Sequence, residues 1–106
     1  MRHTNRRRHT RVALQRPAKL QCLTTGRYLT GRTRDASAGG LLIEVDHPSL
    51  LVAGQRLKIG VAWDRRQMVI EGERMPVATV VRSLGHARVQ HVAVQFDRPQ
   101  ALAAAG

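Results

Sequence analysis

Arg56-Leu57-Lys58-Ile59-Gly60-Val61 and Val92-Ala93-Val94-Gln95-Phe96 carry the clearest structural signal in the chain. In both, a bulky apolar side chain recurs at every second position. A β-strand sends successive side chains to opposite faces, so this period gives each segment one core face and one solvent face. Working outward, further runs rich in β-branched residues appear at Pro17–Leu23, Tyr28–Arg34, Leu41–Val45, Met68–Glu73 and Val77–Leu84. The two stretches first quoted extend to Arg56–Trp63 and Arg88–Phe96. Gly26, Ala38-Gly39-Gly40, Asp46-His47-Pro48, Gly54, Asp64-Arg65-Arg66 and Gly85 punctuate the runs with turn signals.

The 106 residues suffice for one modest core. Only Tyr28, Trp63 and Phe96 are aromatic, so Val, Leu, Ile and Ala must fill that core. Six or seven short strands around a single core predict an all-β fold closed into a barrel, because closure removes edges that would pair with other chains. The expected organisation is a flexible basic arm over 1–11, a barrel over 12–98 and a short C-terminal tail or helix over 99–106. Pro99 is placed to start such a helix and Gly106 to end it.

Charge narrows the partner class. The chain holds 18 Lys+Arg against 7 Asp+Glu, a formal charge of +11, and only Lys19 and Lys58 are lysines. Arginine presents a planar fork of donors that fits phosphate and the acceptor edge of guanine. Part of that excess is what a GC-rich genome produces, but codon bias does not cluster residues. The first eleven residues, MRHTNRRRHTR, contain five arginines and no acid. Like charges repel there, and the segment reads as a mobile arm until an anion neutralises it.

Other classes find little support. Cys22 is the single cysteine, which excludes an internal disulfide and a cysteine-based zinc site and fits a cytoplasmic location. His3, His9, His47, His86 and His91 show no metal-ligand spacing. No apolar run approaches the ~18 residues that cross a bilayer, so no membrane insertion is expected. Ser37 has no His and Asp at predictable positions, Glu44, Glu71 and Glu73 fall in strands that point most of them outward, and no P-loop occurs. The expectation is therefore a non-enzymatic binding protein without catalytic residues, metal or cofactor.

Two motifs carry the binding chemistry: Arg7-Arg8-His9-Thr10-Arg11, preceded by Arg6, and Asp35-Ala36-Ser37-Ala38-Gly39-Gly40. A hairpin turn at Thr25-Gly26 would put residue 35 opposite residue 16, at the barrel end from which the arm emerges. Arginine binds the N7 and O6 acceptors of guanine bidentately, and a carboxylate such as Asp35 accepts from the N1 and N2 donors of its other edge. Ser37 either adds a hydroxyl bond or shapes the turn. Gly39 and Gly40 are expected to take positive φ and admit a ligand close to the backbone.

Arm, hairpin, acidic turn and following apolar strand, taken in this order, resemble the PilZ domain family over about Arg6 to Phe96. The resemblance implies a six-stranded barrel followed by a helix, and reversible binding of the bacterial second messenger cyclic di-GMP. It also implies that Arg7 and Arg11 are the paired arginines and that Asp35, Ser37 and Gly40 are the turn motif. An arginine placed as Arg6 is goes, in that family, with two stacked ligand molecules. Ala93-Val94-Gln95-Phe96 departs mildly from the family's Gly-hydrophobic-x-Phe. The tail is short for the usual helix, so a helical cap is either missing or supplied by a second copy in a homodimer. Such a receptor would signal to a downstream protein partner through the ordered arm. The competing reading is a general basic nucleic-acid-binding barrel of cold-shock or OB type.

Overall fold

A computed structural model of the chain describes residues 11–46, 51–62, 75–86 and 89–100. Seven strands are found among them: β1 (Val12–Ala13), β2 (Pro17–Cys22), β3 (Tyr28–Ser37), β4 (Gly40–Asp46), β5 (Arg56–Val61), β6 (Val77–His86) and β7 (Val89–Phe96). The bounds agree with the apolar runs to within a few residues, except that β1 has no counterpart there. The expected strand Met68–Glu73, Trp63 and residues 101–106 of the expected tail helix lie outside the described residues.

All pairings are antiparallel, in the order β2-β5-β6-β7-β4-β3, and β3 pairs with both β4 and β2. The sheet thereby closes into a six-stranded barrel, with β1 as a short extra strand on β3. Alternation places Leu20, Ile43, Val45, Leu57, Ile59, Val80 and Val92 in the core, each essentially without solvent exposure. Phe96 is the one described aromatic inside, whereas Tyr28 is exposed with the Lys19 ammonium 4.6 Å from its ring centroid. Cys22 is buried as a small core residue, and its thiol is held below its ordinary pKa mainly by the Thr25 hydroxyl, with the Gln55 amide also donating to it.

The β2–β3 hairpin corrects the expected register. Its connection is a four-residue loop over 23–26, closed by Cys22 N–H donating to Arg27 O, with Gly26 at φ 76°. Positive φ at the loop's last residue is what a glycine supplies without steric cost. Gln21 consequently faces Tyr28 and Pro17 faces Arg32, and Asp35 pairs with Ala13 rather than residue 16. The shift moves Asp35 closer to the arm.

Between β1 and β2 the chain is held by Thr33, which is fully buried. Its hydroxyl accepts from Arg16 N–H at 2.8 Å and donates to Leu14 O. Thr33 N–H donates to Arg16 O at 2.9 Å, and the Arg16 Nε donates to Ala62 O at 2.6 Å.

Two bulges interrupt the ladder. Between β3 and β4 the register shifts at Thr33/Asp35, and between β6 and β7 at Val80/Arg82. Both follow from the core phase of the sequence. Leu29, Gly31 and Thr33 set a period that would turn Asp35 inward, and Ala78 and Val80 would do the same to Arg82. One extra residue before each charge turns it out. In β6 the shift also exposes Leu84, at 65%. Leaving a leucine in water forfeits roughly 1.5–3 kcal/mol, whereas an unpaired guanidinium in an apolar core costs several-fold more. The charge decides the register.

Thr33→Val keeps the shape and removes the hydroxyl, leaving Leu14 O and Arg16 N–H without their partner. Urea unfolding should show a loss of about 1–3 kcal/mol. Thr33→Ser, which retains both bonds, should lose less than about 1.5 kcal/mol.

Candidate functional site

The last residue of the first motif meets the second motif. Arg11, the first described residue, lies just before β1, and β1 pairs with the end of β3 that carries Asp35. The Arg11 Nη1 donates to Asp35 Oδ1 at 2.9 Å across 24 residues of chain. Both side chains remain partly exposed, at 43% and 30%, so the pair is screened by solvent and open to a competing ligand. Arg6 and Arg7 lie outside the described residues.

Ser37, only 7% exposed, shapes the turn. Its Oγ accepts from the Gly39 and Gly40 N–H groups, each at 3.2 Å. The same Oγ donates to Gly40 O at 3.5 Å, and Gly39 O accepts from Phe96 N–H at 2.8 Å.

The glycine expectation is corrected here. The positive-φ glycines among the described residues are Gly26 and Gly54, so Gly39 and Gly40 do not serve by left-handed backbone. Gly40 is required because β4 and β7 approach closely: a Cβ there would stand 2.2 Å from Val94 O.

Beside the turn lies an open groove of about 920 Å³, near the upper end of the ~300–1,000 Å³ of small-molecule sites. Arg11, Ser37, Gly39 and Gly40 contribute to its lining together with Val81, Arg82, Ala93 and Gln95. Asp35 is not among the lining residues; it fixes Arg11 at the margin. Motif reading missed Val81, Arg82 and Gln95. The signal that could have found Arg82 is a charge on the core phase of a strand.

The remaining described ion pairs lie apart from this contact. Arg34 Nη1 stands 3.1 Å from Glu44 Oε2, which also has His91 Nε2 at 3.5 Å, and Arg56 holds Asp97 at 2.6 Å. Glu44 thus points outward, as strand alternation implied. No group of three or more potential metal ligands occurs among the described residues, and no described helix is long and apolar enough to cross a membrane.

Comparison with known proteins agrees with this architecture. The family model described as PilZ domain matches residues 5–104. Among solved structures, the inhibitor of motility MotI/DgrA from Bacillus subtilis superposes with a TM-score of 0.70 at 14% identity, over 91% of this chain and 44% of that one. This chain therefore spans less than half the length of that protein. The PilZ domain of YcgR from Escherichia coli, solved with c-di-GMP, gives 0.63 at 19% identity, over 87% of this chain and 78% of the other. The PilZ domain of CeSA from a cellulose-synthesizing bacterium gives 0.58 at 19% identity, over 81% and 79%. No curated protein matches the sequence.

Two stability measurements separate the exposed ion pair from the structural glycine. Arg11→Ala and Asp35→Ala should each change the unfolding free energy by less than about 1 kcal/mol, as exposed ion pairs do. Gly40→Ala should lose about 1–3 kcal/mol or more in the same denaturation assay, because the Val94 backbone must move.

Proposed function

This chain belongs to the PilZ domain family, and from that premise we propose that it is a receptor for cyclic di-GMP whose site is built from Arg6, Arg7, Arg11, Asp35, Ser37, Gly39 and Gly40. The observation that carries the reading is the Arg11–Asp35 bond at the margin of the groove. It joins the end of the basic arm to the acidic turn, and the two groups together complement guanine. The Asp35 carboxylate accepts from the guanine N1 and N2 donors. Arg11, released from Asp35, is free to donate to phosphate or to the N7 and O6 edge. Ser37 holds the turn, and Gly40 keeps the floor low beside the ligand. Likeness to the YcgR domain solved with c-di-GMP supports the same reading.

Exchanging an internal ion pair for contacts to the ligand explains how a water-exposed site can work. The Arg11–Asp35 pair contributes little to stability, so its loss on binding costs little. Charge-assisted bonds to two phosphates and stacking on the bases offset the ordering of the arm, which costs about 1–2 kcal/mol per residue fixed. Arg6 and Arg7 supply further cations to the phosphates, and Arg6 is the residue placed to favour a stacked pair of ligands. With residues 6–11 closed over the ligand, the barrel rim offers a changed surface to a downstream protein or a second copy. In this reading the chain performs no reaction and works in the cytoplasm.

The rival reading as a general nucleic-acid binder is not favoured. Such proteins stack bases on exposed aromatic side chains. Of the described aromatics, Phe96 is core and Tyr28 has a lysine over its ring.

Calorimetric titration with cyclic di-GMP tests the proposal. Saturable binding is expected in the wild type, weakened by about tenfold to a hundredfold in Arg11→Ala and in Asp35→Ala, the equivalent of one charge-assisted bond. Wild-type affinity in both variants would refute the assigned roles. Binding to arbitrary oligonucleotides with a steep salt dependence, undiminished by Asp35→Ala, would favour the rival.

A further inference from the structure

Arg82 occupies in β6 the place that Asp35 occupies in β3. Each is the first paired residue after a bulge, and the two bulges lie in one row across the sheet. Asp35 pairs with Leu42, Leu42 with Ala93, and Ala93 with Arg82. Three steps between neighbouring strands put the ends of that row about 14 Å apart. β4 and β7, between the ends, run without a register shift in their mutual pairing.

The consequence is a groove with two walls. At one side stands Arg11, held there by Asp35 from the margin. At the other, the bulge presents two successive outward side chains, Val81 at 54% exposure and Arg82 beside it. Leu42 and Ala93 lie between in the row itself, and of the groove's lining Gly40 and Ala93 are no larger than a methyl group. Asp35, Glu44 and Asp97 are each engaged by a different arginine, and none of them by Arg82. The far wall thus offers a guanidinium fork and an apolar face to whatever occupies the groove.

We propose that Arg82, presented with Val81 by the β6 bulge, is a second anchor of the ligand site. This rests on the cyclic di-GMP reading and adds to it. The ligand has two like halves, each with a guanine and a phosphate. Arg11 and Asp35 take one half. Arg82 donates to the acceptor oxygens of the other half, and Val81 gives that half's base an apolar surface. The arrangement selects a two-headed nucleotide over a mononucleotide, which has nothing to place against the second wall. The exposure of Leu84 is consistent with this, since the shift that turns Arg82 to the groove leaves a leucine in water.

Calorimetry on the whole chain with cyclic di-GMP tests the inference. Arg82→Ala should weaken binding by at least about tenfold. Lys58→Ala, which removes the same charge from β5 outside the groove lining, should stay within about twofold of wild type. Thermal unfolding of both variants should match wild type, since neither side chain is in the core. Equal affinities for Arg82→Ala and Lys58→Ala would overturn the second anchor. If the wild type fails to bind cyclic di-GMP, the receptor reading falls and takes this inference with it. If Asp35→Ala loses binding while Arg82→Ala retains it, only this inference falls.

Discussion

The arm and the acidic turn meet because the chain between β1 and β2 is tied to β3, with the buried Thr33 hydroxyl at the centre of the ties. Thr33 accepts from the Arg16 N–H and donates to Leu14 O, satisfying two backbone groups that would otherwise be orphaned where the ladder is broken. With that segment fixed on β3, β1 can pair with Ala36 and Asp35, and Arg11 emerges within hydrogen-bonding distance of the carboxylate. β3 is also the strand that closes the barrel, since it pairs with β2 and with β4. Closure and site geometry therefore depend on the same ten residues.

A second constraint acts at the level of charge. In a barrel whose core is aliphatic, a carboxylate or guanidinium on the inward phase of a strand cannot stay there. Bulges in β3 and β6 resolve the conflict by turning Asp35 and Arg82 outward in one row. Each bulge leaves a ladder position unpaired and, in β6, gives up the burial of Leu84. A barrel selected for stability alone would place polar residues on the outer phase and leave both ladders intact. Local departures of this kind concentrate at functional sites.

In the proposed receptor, stability and binding are carried by different atoms. The core cluster and the Thr33 bonds are buried and hold the fold. The Arg11–Asp35 contact is partly exposed, and solvent screens it, so it can be exchanged for ligand contacts at small cost. Gly40 and Ser37 stand between these classes. Gly40 lets β4 approach β7, and Ser37 caps the turn N–H groups, so both form the groove by packing rather than by reaching into it.

The amino-acid sequence by itself determined the strands and their class, because a period of two in apolar side chains is a local property that burial of one face enforces. It also marked Arg11, Asp35, Ser37 and Gly40, because a cationic arm and an Asp-x-Ser-x-x-Gly turn are legible as chemistry. Only the tertiary structure decided the hairpin register, since loop length and the φ of Gly26 set it and neither is written in the residue pattern. It alone decided the reason for Gly40, which is the position of Val94 in a strand more than fifty residues away. The placement of Asp35 and Arg82 in one row across four strands was likewise out of reach. Each charge was visible on the wrong phase of its own strand, but that the two stand at the ends of one row is a property of the register between β3, β4, β7 and β6.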